Sequence, residues 1–358
     1  MADFEAPWPI HGHGEVVTGL WRAAAADRLP HALLFNGRGG LGKFRAALAL
    51  AQGLLCARGP REVGPCQSCG PCKRFLSGGH PDLLVIDPPQ EVDAHIRVGY
   101  IVRREGSGEP ELSAEQFLSL KPMEGGWRIV IVRGAERMLE QAQNALLKML
   151  EEPGQGVLWI LIAERAAELL PTVRSRAVVV RFAALADADC MSVLAEHGLA
   201  RDQSRLLARW SGGSPGMALA LSERGAVDLR AVLVGLLCAQ ADSFAAAGAL
   251  EAVDGRFEGK TPTARERERA RTVLDLAAAL LGDLARLRAG VPPERVAHGD
   301  LGTRMGEMAL ASHPELLSLA LEGLVRLRAD VELNLDPGLI LERAALILSA
   351  REPAQLLC

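Results

Sequence analysis

The sequence predicts a three-layer α/β module followed by a tract that is helical throughout. Three observations carry this: five short apolar runs alternate with helical patterns in the first half, a glycine-rich turn joins the first run to the first long helix, and no strand-like run follows Phe182. The runs are "ALLF" (32–35), "LLVI" (83–86), "RIVIV" (128–132), "VLWILI" (157–162) and "AVVVRF" (177–182). They are short, rich in branched residues and mostly without polar alternation, as strands buried on both faces of a parallel sheet read. Between them, residues 43–57 set Phe44, Ala47, Leu48, Ala51, Leu54 and Leu55 on one helical face, and residues 139–151 do the same with Leu139, Ala142, Leu146, Leu147 and Leu150. Strand and helix in alternation imply a sheet covered on both sides. Beyond Phe182 the pattern breaks at Gly198, at "SGGSPG" and at "AGVPPERVAHGD", and it is otherwise Ala/Leu-rich at helical spacing. The predicted parts are an α/β domain (1–182), a small helical domain (183–226) and an all-helical domain (227–358).

Composition narrows the function. The 358 residues are 49% apolar, with no apolar run near the ~20 residues of a membrane span. The N-terminus "MADFEAPWPIHGHGE" lacks a basic region and apolar core, so a cytoplasmic protein is expected. Net charge is −4 and aromatics are 4%, which argues against a free-standing nucleic-acid binder and against base-stacking platforms.

The turn "GRGGLGK" (Gly37 to Lys43) follows a predicted strand and opens a predicted helix, the context in which such a loop cradles phosphate. Its glycines let backbone N–H groups curl round an anion, and Lys43 adds a point charge. A hydrolytic loop needs Ser or Thr next, to ligate Mg²⁺; here stands Phe44, which reads as a core residue of the helix. The run "RIVIV" ends in Arg133 and Gly134, where an acidic pair would hold the metal and activate water. Gly37, Gly42 and Lys43 are therefore candidate nucleotide-binding residues of a degenerate loop, with no hydrolysis of ATP·Mg expected.

Four of the seven cysteines, Cys56, Cys66, Cys69 and Cys72, crowd into seventeen residues rich in Gly and Pro. Four thiolates at this spacing suit a closed, structural, tetrahedral Zn²⁺. An iron–sulfur cluster, a redox-active "CGPC" pair and plain buried thiols are the alternatives. Cys190, Cys238 and Cys358 are scattered and read as ordinary apolar residues.

The motifs "HALLFNG" (31–37), "GGHPDLLVIDP" (78–88), "NALLKMLEEP" (144–153), "LLPTVRSR" (169–176) and "SGGSPGMALAL" (211–221), together with the cysteine loop, resemble the clamp-loader branch of AAA+ proteins. Within it they resemble the delta prime subunits of the bacterial DNA polymerase III clamp loader. The zinc loop narrows the choice to gamma/tau and delta prime, and the lost Mg²⁺ ligands favour delta prime over a gamma/tau-type ATPase with a divergent loop. The likeness covers most of residues 8–225; residues 90–126 fit it poorly, and no functional residue is drawn from them. It implies a lid (183–226), a collar (227–358), gamma/tau and delta as ring partners, and contact with the sliding clamp and primer–template DNA through the assembly. A zinc-dependent DNA-binding module is the weakest reading, because few basic residues surround the cluster.

The resemblance assigns further residues. Glu164 stands where the family's ATPases carry a polar sensor for the γ-phosphate, and Pro215, Gly216 and Met217 stand where they carry an Arg. Ser175-Arg176 matches the pair whose Arg reaches the neighbouring subunit's nucleotide as a finger acting in trans. Glu151 and Glu152 end a helix, where negative charge opposes the macrodipole, and a basic partner across a ring interface is expected to compensate them.

Overall fold

The computed structural model describes residues 8–59, 64–88, 95–103, 110, 112–124, 126–238, 242–333 and 335–350. The chain divides into two compact units, Met1–Cys190 and Met191–Cys358.

The first unit is built on five parallel strands: β1 (Ala32–Asn36), β2 (Leu83–Ile86), β3 (Arg128–Val132), β4 (Val157–Ala163) and β5 (Val178–Arg181), in the order β2-β3-β4-β1-β5. Each coincides with one of the five apolar runs. β3 and β4 are buried along their whole length, as continuous Ile/Val/Leu runs require. The edges differ from expectation. β5 is open on one side, with Val178 and Val179 about half exposed, and β2 is half-buried. Apolar content alone does not distinguish an edge strand from a central one.

Helices α1 (Gly14–Ala25), α2 (Lys43–Leu55), α3 (Gly70–Leu76), α4 (Ala114–Ser119), α5 (Glu140–Glu151) and α6 (Pro171–Arg174) complete this unit. α2 is buried nearly all round rather than on one stripe. Phe44 is the correction within it: the ring is only half-buried, because it faces a cavity instead of the core. On α5 the buried residues are Ala142, Gln143, Leu146 and Leu150; Leu139, expected on that face, is the exposed N-cap. Trp21 of α1 donates its indole N–H to Leu50 O at 3.2 Å and packs at a tilt against Trp8, ring centroids 4.8 Å apart. The carbonyl of Trp8 in turn accepts from Gln67 of the cysteine loop.

The second unit contains helices only, among the described residues: the remainder of α7 (Asp187–Glu196), then α8 (Arg201–Trp210), α9 (Pro215–Glu223), α10 (Ala226–Leu237), α11 (Ser243–Ala252), α12 (Pro262–Arg288), α13 (Gly302–Ala311), α14 (Pro314–Glu332) and α15 (Pro337–Ser349). The 27-residue α12 packs against α10, α13, α14 and α15, so one long helix centres the core. Thr261 caps its start and Ser214 caps α9, each accepting a backbone N–H of the first turn. No described helix is long and apolar enough to cross a membrane.

Candidate functional sites: a phosphate loop, a cysteine cluster and an arginine edge

Loops that follow β1, β3 and β4 meet at the carboxyl ends of the strands, where ligands of parallel sheets bind. They enclose a cavity of about 380 Å³ lined by Gly40–Phe44, Asp87, Arg133, Glu136, Arg137 and Glu164, among others. The glycines of the loop have physical reasons. Gly42 caps α2 with φ +80°, and a Cβ on Gly37 would lie 2.4 Å from Phe182 O.

The sequence-predicted residues come together here, but not as a working NTPase arranges them. Lys43 is buried and folds back on its own loop, donating to Gly37 O and Arg38 O at 2.5 Å each. Burial pulls its pKa down, while Glu164 and Glu136 nearby oppose that shift. Arg133 leaves β3 and lays its guanidinium over the Phe44 ring, 4.3 Å from the centroid, while pairing with Asp87 at 2.7 Å. Where a hydroxyl and a carboxylate would share a metal ion, the chain has an aromatic ring and an arginine. Glu136 bridges the next two loops, accepting the Glu164 N–H at 3.1 Å.

The cysteine cluster is assembled from two helix ends. Cys56 is the C-cap of α2, Cys69 the N-cap of α3, Cys72 lies in α3, and Cys66 precedes it. Their sulfurs all lie within 4.8 Å of one another, and Cys66 and Cys72 are 3.9 Å apart. Tetrahedral zinc with Zn–S of about 2.3 Å needs sulfurs about 3.8 Å apart, so the four ligands fit such a metal with little movement. The backbone N–H groups of Ser68 and Cys69 face the Cys66 sulfur and bring its pKa down to about 5; the latter lies at 3.4 Å. Burial pushes the Cys72 thiol up, a cost that a coordinated cation removes. Of the other cysteines, Cys190 is buried, Cys238 packs its sulfur 3.3 Å from that of Met308, and Cys358 lies outside the described residues.

A polar network ties this excursion to the sheet. Asp82, fully buried, accepts the Met123 and Glu124 N–H groups at 2.9 and 2.6 Å and faces Arg128 at 3.6 Å. His80 accepts the Asp82 N–H on Nδ1 and turns Nε2 toward Glu124. Glu124 also pairs with Arg74 of α3. Sequence reading missed this network, since it joins the motif at 78–88 to residues within 90–126. The one available signal was the capping pattern Ser113–Gln116 at the start of α4, which the structure forms in full.

Arg176 sits between α6 and β5, about one-third exposed, on the open edge of the sheet. Its Nη1 donates to Thr172 O at 3.0 Å and to Ser175 Oγ at 3.3 Å, and its Nη2 pairs with Glu151 at 2.6 Å. Glu151 therefore has a basic partner inside the chain, a pairing the sequence reading did not foresee.

The family profile "DNA polymerase III, delta subunit" matches residues 12–186. The DNA polymerase III subunit delta' of Bacillus subtilis is 35% identical over 189 residues, 53% of this chain and 53% of that protein. Its counterpart in Pseudomonas aeruginosa is 35% identical over 207 residues, 57% of this chain and 59% of that protein. The chain thus spans somewhat more than half the length of these curated relatives. Among solved structures, a DNA polymerase III gamma subunit-related protein of Thermotoga maritima is 17% identical, with a TM-score of 0.41, covering 95% of this chain and 99% of that one.

Proposed function

We propose that this chain, which is similar to the DNA polymerase III delta' subunits over somewhat more than half its length, is a clamp-loader subunit that hydrolyses no ATP and lends Arg176 to a neighbour that does. The observation that carries the reading is the filled cation position. A guanidinium lying over Phe44 and paired with Asp87 takes the place in the sequence of a metal-binding carboxylate, and neither Arg133 nor Gly134 can supply the missing ligands.

In this reading the α/β unit is the AAA+ module, α7–α9 form the lid and α10–α15 the collar through which a ring with gamma/tau and delta is built. The ring opens a sliding clamp and sets it on primer–template DNA in the cytoplasm. Zinc, held by Cys56, Cys66, Cys69 and Cys72, is structural: it cross-links the end of α2 to the start of α3 and leaves no open coordination position. The Arg176 guanidinium is planar and still has N–H groups beyond those engaged by Thr172, Ser175 and Glu151. Directed at a neighbour's γ-phosphate it neutralises charge that develops in transfer, so hydrolysis depends on correct assembly.

The test is DNA-stimulated ATPase of a ring reconstituted with gamma/tau and delta subunits. For Arg176→Ala the ring assembles as before, and turnover at the one dependent site falls on the order of 10³-fold, with a smaller drop in the summed rate. Unchanged turnover in a correctly assembled ring rejects the finger.

A further inference from the structure

The cavity above the phosphate loop is neutralised by the chain's own side chains. Lys43, Arg133 and Arg137 contribute three positive charges to its lining, and Asp87, Glu136 and Glu164 three negative ones. A nucleoside polyphosphate brings several negative charges and needs a positive surplus, which the lining lacks. The distribution is as telling as the total. The Glu164 carboxylate rests against Gly39, within the stretch that would wrap the phosphates, so closely that a Cβ on Gly39 would lie 2.6 Å from its Oε1. Glu164 and Glu136 are the two carboxylates that act on Lys43 from outside the loop. On the other side of the cavity Arg133 fills the cation position against Phe44 and Asp87.

We propose that Glu164 and Arg133 are internal substitutes for the phosphate and the metal, so that the loop is a latent nucleotide site closed by its own side chains and reopened to nucleoside polyphosphates by neutralising one carboxylate. The proposal rests on reading Gly37–Lys43 as a phosphate loop, but not on Arg176, so ring assays of the finger and binding assays of this loop fail independently. The two substitutes have separable consequences. Glu164 repels phosphate directly, and its neutral form leaves the loop amides and Lys43 facing an incoming anion. Arg133 continues to occupy the cation position in that variant, so the restored binding requires no divalent metal.

The experiment is a titration of the full chain with the fluorescent nucleotide mant-ADP, in EDTA and in Mg²⁺, for wild type and for Glu164→Gln. Glutamine keeps the shape of the side chain and removes its charge; Glu164 is exposed, and a thermal melt of each protein verifies that both are folded. The expected result is mant-ADP affinity at least about 10-fold higher for Glu164→Gln, the same in EDTA as in Mg²⁺, with the difference shrinking at high salt. Glu136→Gln, one shell further from Gly39, gives a smaller gain in the same direction. Wild-type affinity equal to that of Glu164→Gln overturns the proposal. So does a gain that appears only when Mg²⁺ is present, since that would mean Arg133 yields its position to the metal.

Discussion

The cysteine cluster and the phosphate loop lie in the same α/β unit, and each has the outline of a ligand site, yet their interiors are opposite. Around the cysteines four sulfur donors converge within 4.8 Å of one another. Around the loop, the chain has put a carboxylate, a guanidinium and a phenyl ring into the space. One region offers four donors that could hold a metal ion; the other is occupied by the chain's own side chains. This teaches that the outline of a motif and its state are separate facts. The glycines and lysine of the loop are in their expected places, but Lys43 spends its hydrogen bonds on its own turn. The cysteine sulfurs, by contrast, face one another.

The sharpest way to break the comparison is to challenge the proposed metal site. Prolonged chelation, or Cys72→Ser, is expected to lower the stability of the α/β unit by about 4 kcal/mol, read as a fall in the urea midpoint, since loss of a structural metal belongs to the largest class of single-site effects. An unchanged midpoint would mean the four sulfurs are merely packed together. Next in size is Lys43→Met, which removes the internal partner of two carbonyls, Gly37 O and Arg38 O. Leaving these acceptors unmatched costs about 1–3 kcal/mol, whereas a relic lysine pointing at solvent would be silent.

A pH effect follows from the anchor of the cysteine excursion. Burial holds the His80 imidazole below its ordinary pKa, against the pull of Asp82 and Glu124. The folded chain therefore keeps it neutral while the unfolded chain takes up a proton near pH 6.5. Stability is full above about pH 6.5, falls as pH drops below it, and levels off below the folded-state value. Urea midpoints at pH 7.5 and 5.5 should show this slope, reduced in His80→Gln. The smallest effect is expected from Phe44→Leu, which keeps apolar bulk but removes the face on which Arg133 lies. A loss of roughly 0.5–1 kcal/mol is expected for an exposed cation–π contact, measured against Arg133→Gln in a double-mutant cycle.

Much of the fold was legible because strand burial writes itself into composition. The runs at 83–86 and 128–132 coincide with β2 and β3 residue for residue, and that at 157–162 falls one residue short of β4. What stayed hidden depends on neighbours rather than on the run itself. Val178 and Val179 look like core valines until the sheet order makes β5 an edge. Phe44 looks like a core phenylalanine until a guanidinium 89 positions away lies across it. The same holds for the candidate sites. The spacing of the cysteines named all four sulfurs of the cluster, since local turns decide where they meet. Glu151 and Arg176, separated by β4, α6 and the loops around them, gave no sign in either stretch that they were partners.

The first described residues have a practical consequence. Trp8 lies on Trp21, which is tied to the last turns of α2, and its carbonyl is held by Gln67 from between the second and third cysteines. A shortened version of this protein that starts at Gly14 would look harmless on a sequence diagram, since it keeps every strand, helix and thiol. It would also strip a clasp from the side of the cysteine excursion. Preparations trimmed or tagged at that end should be assayed for metal content before any loss of assembly is blamed on the rest of the chain.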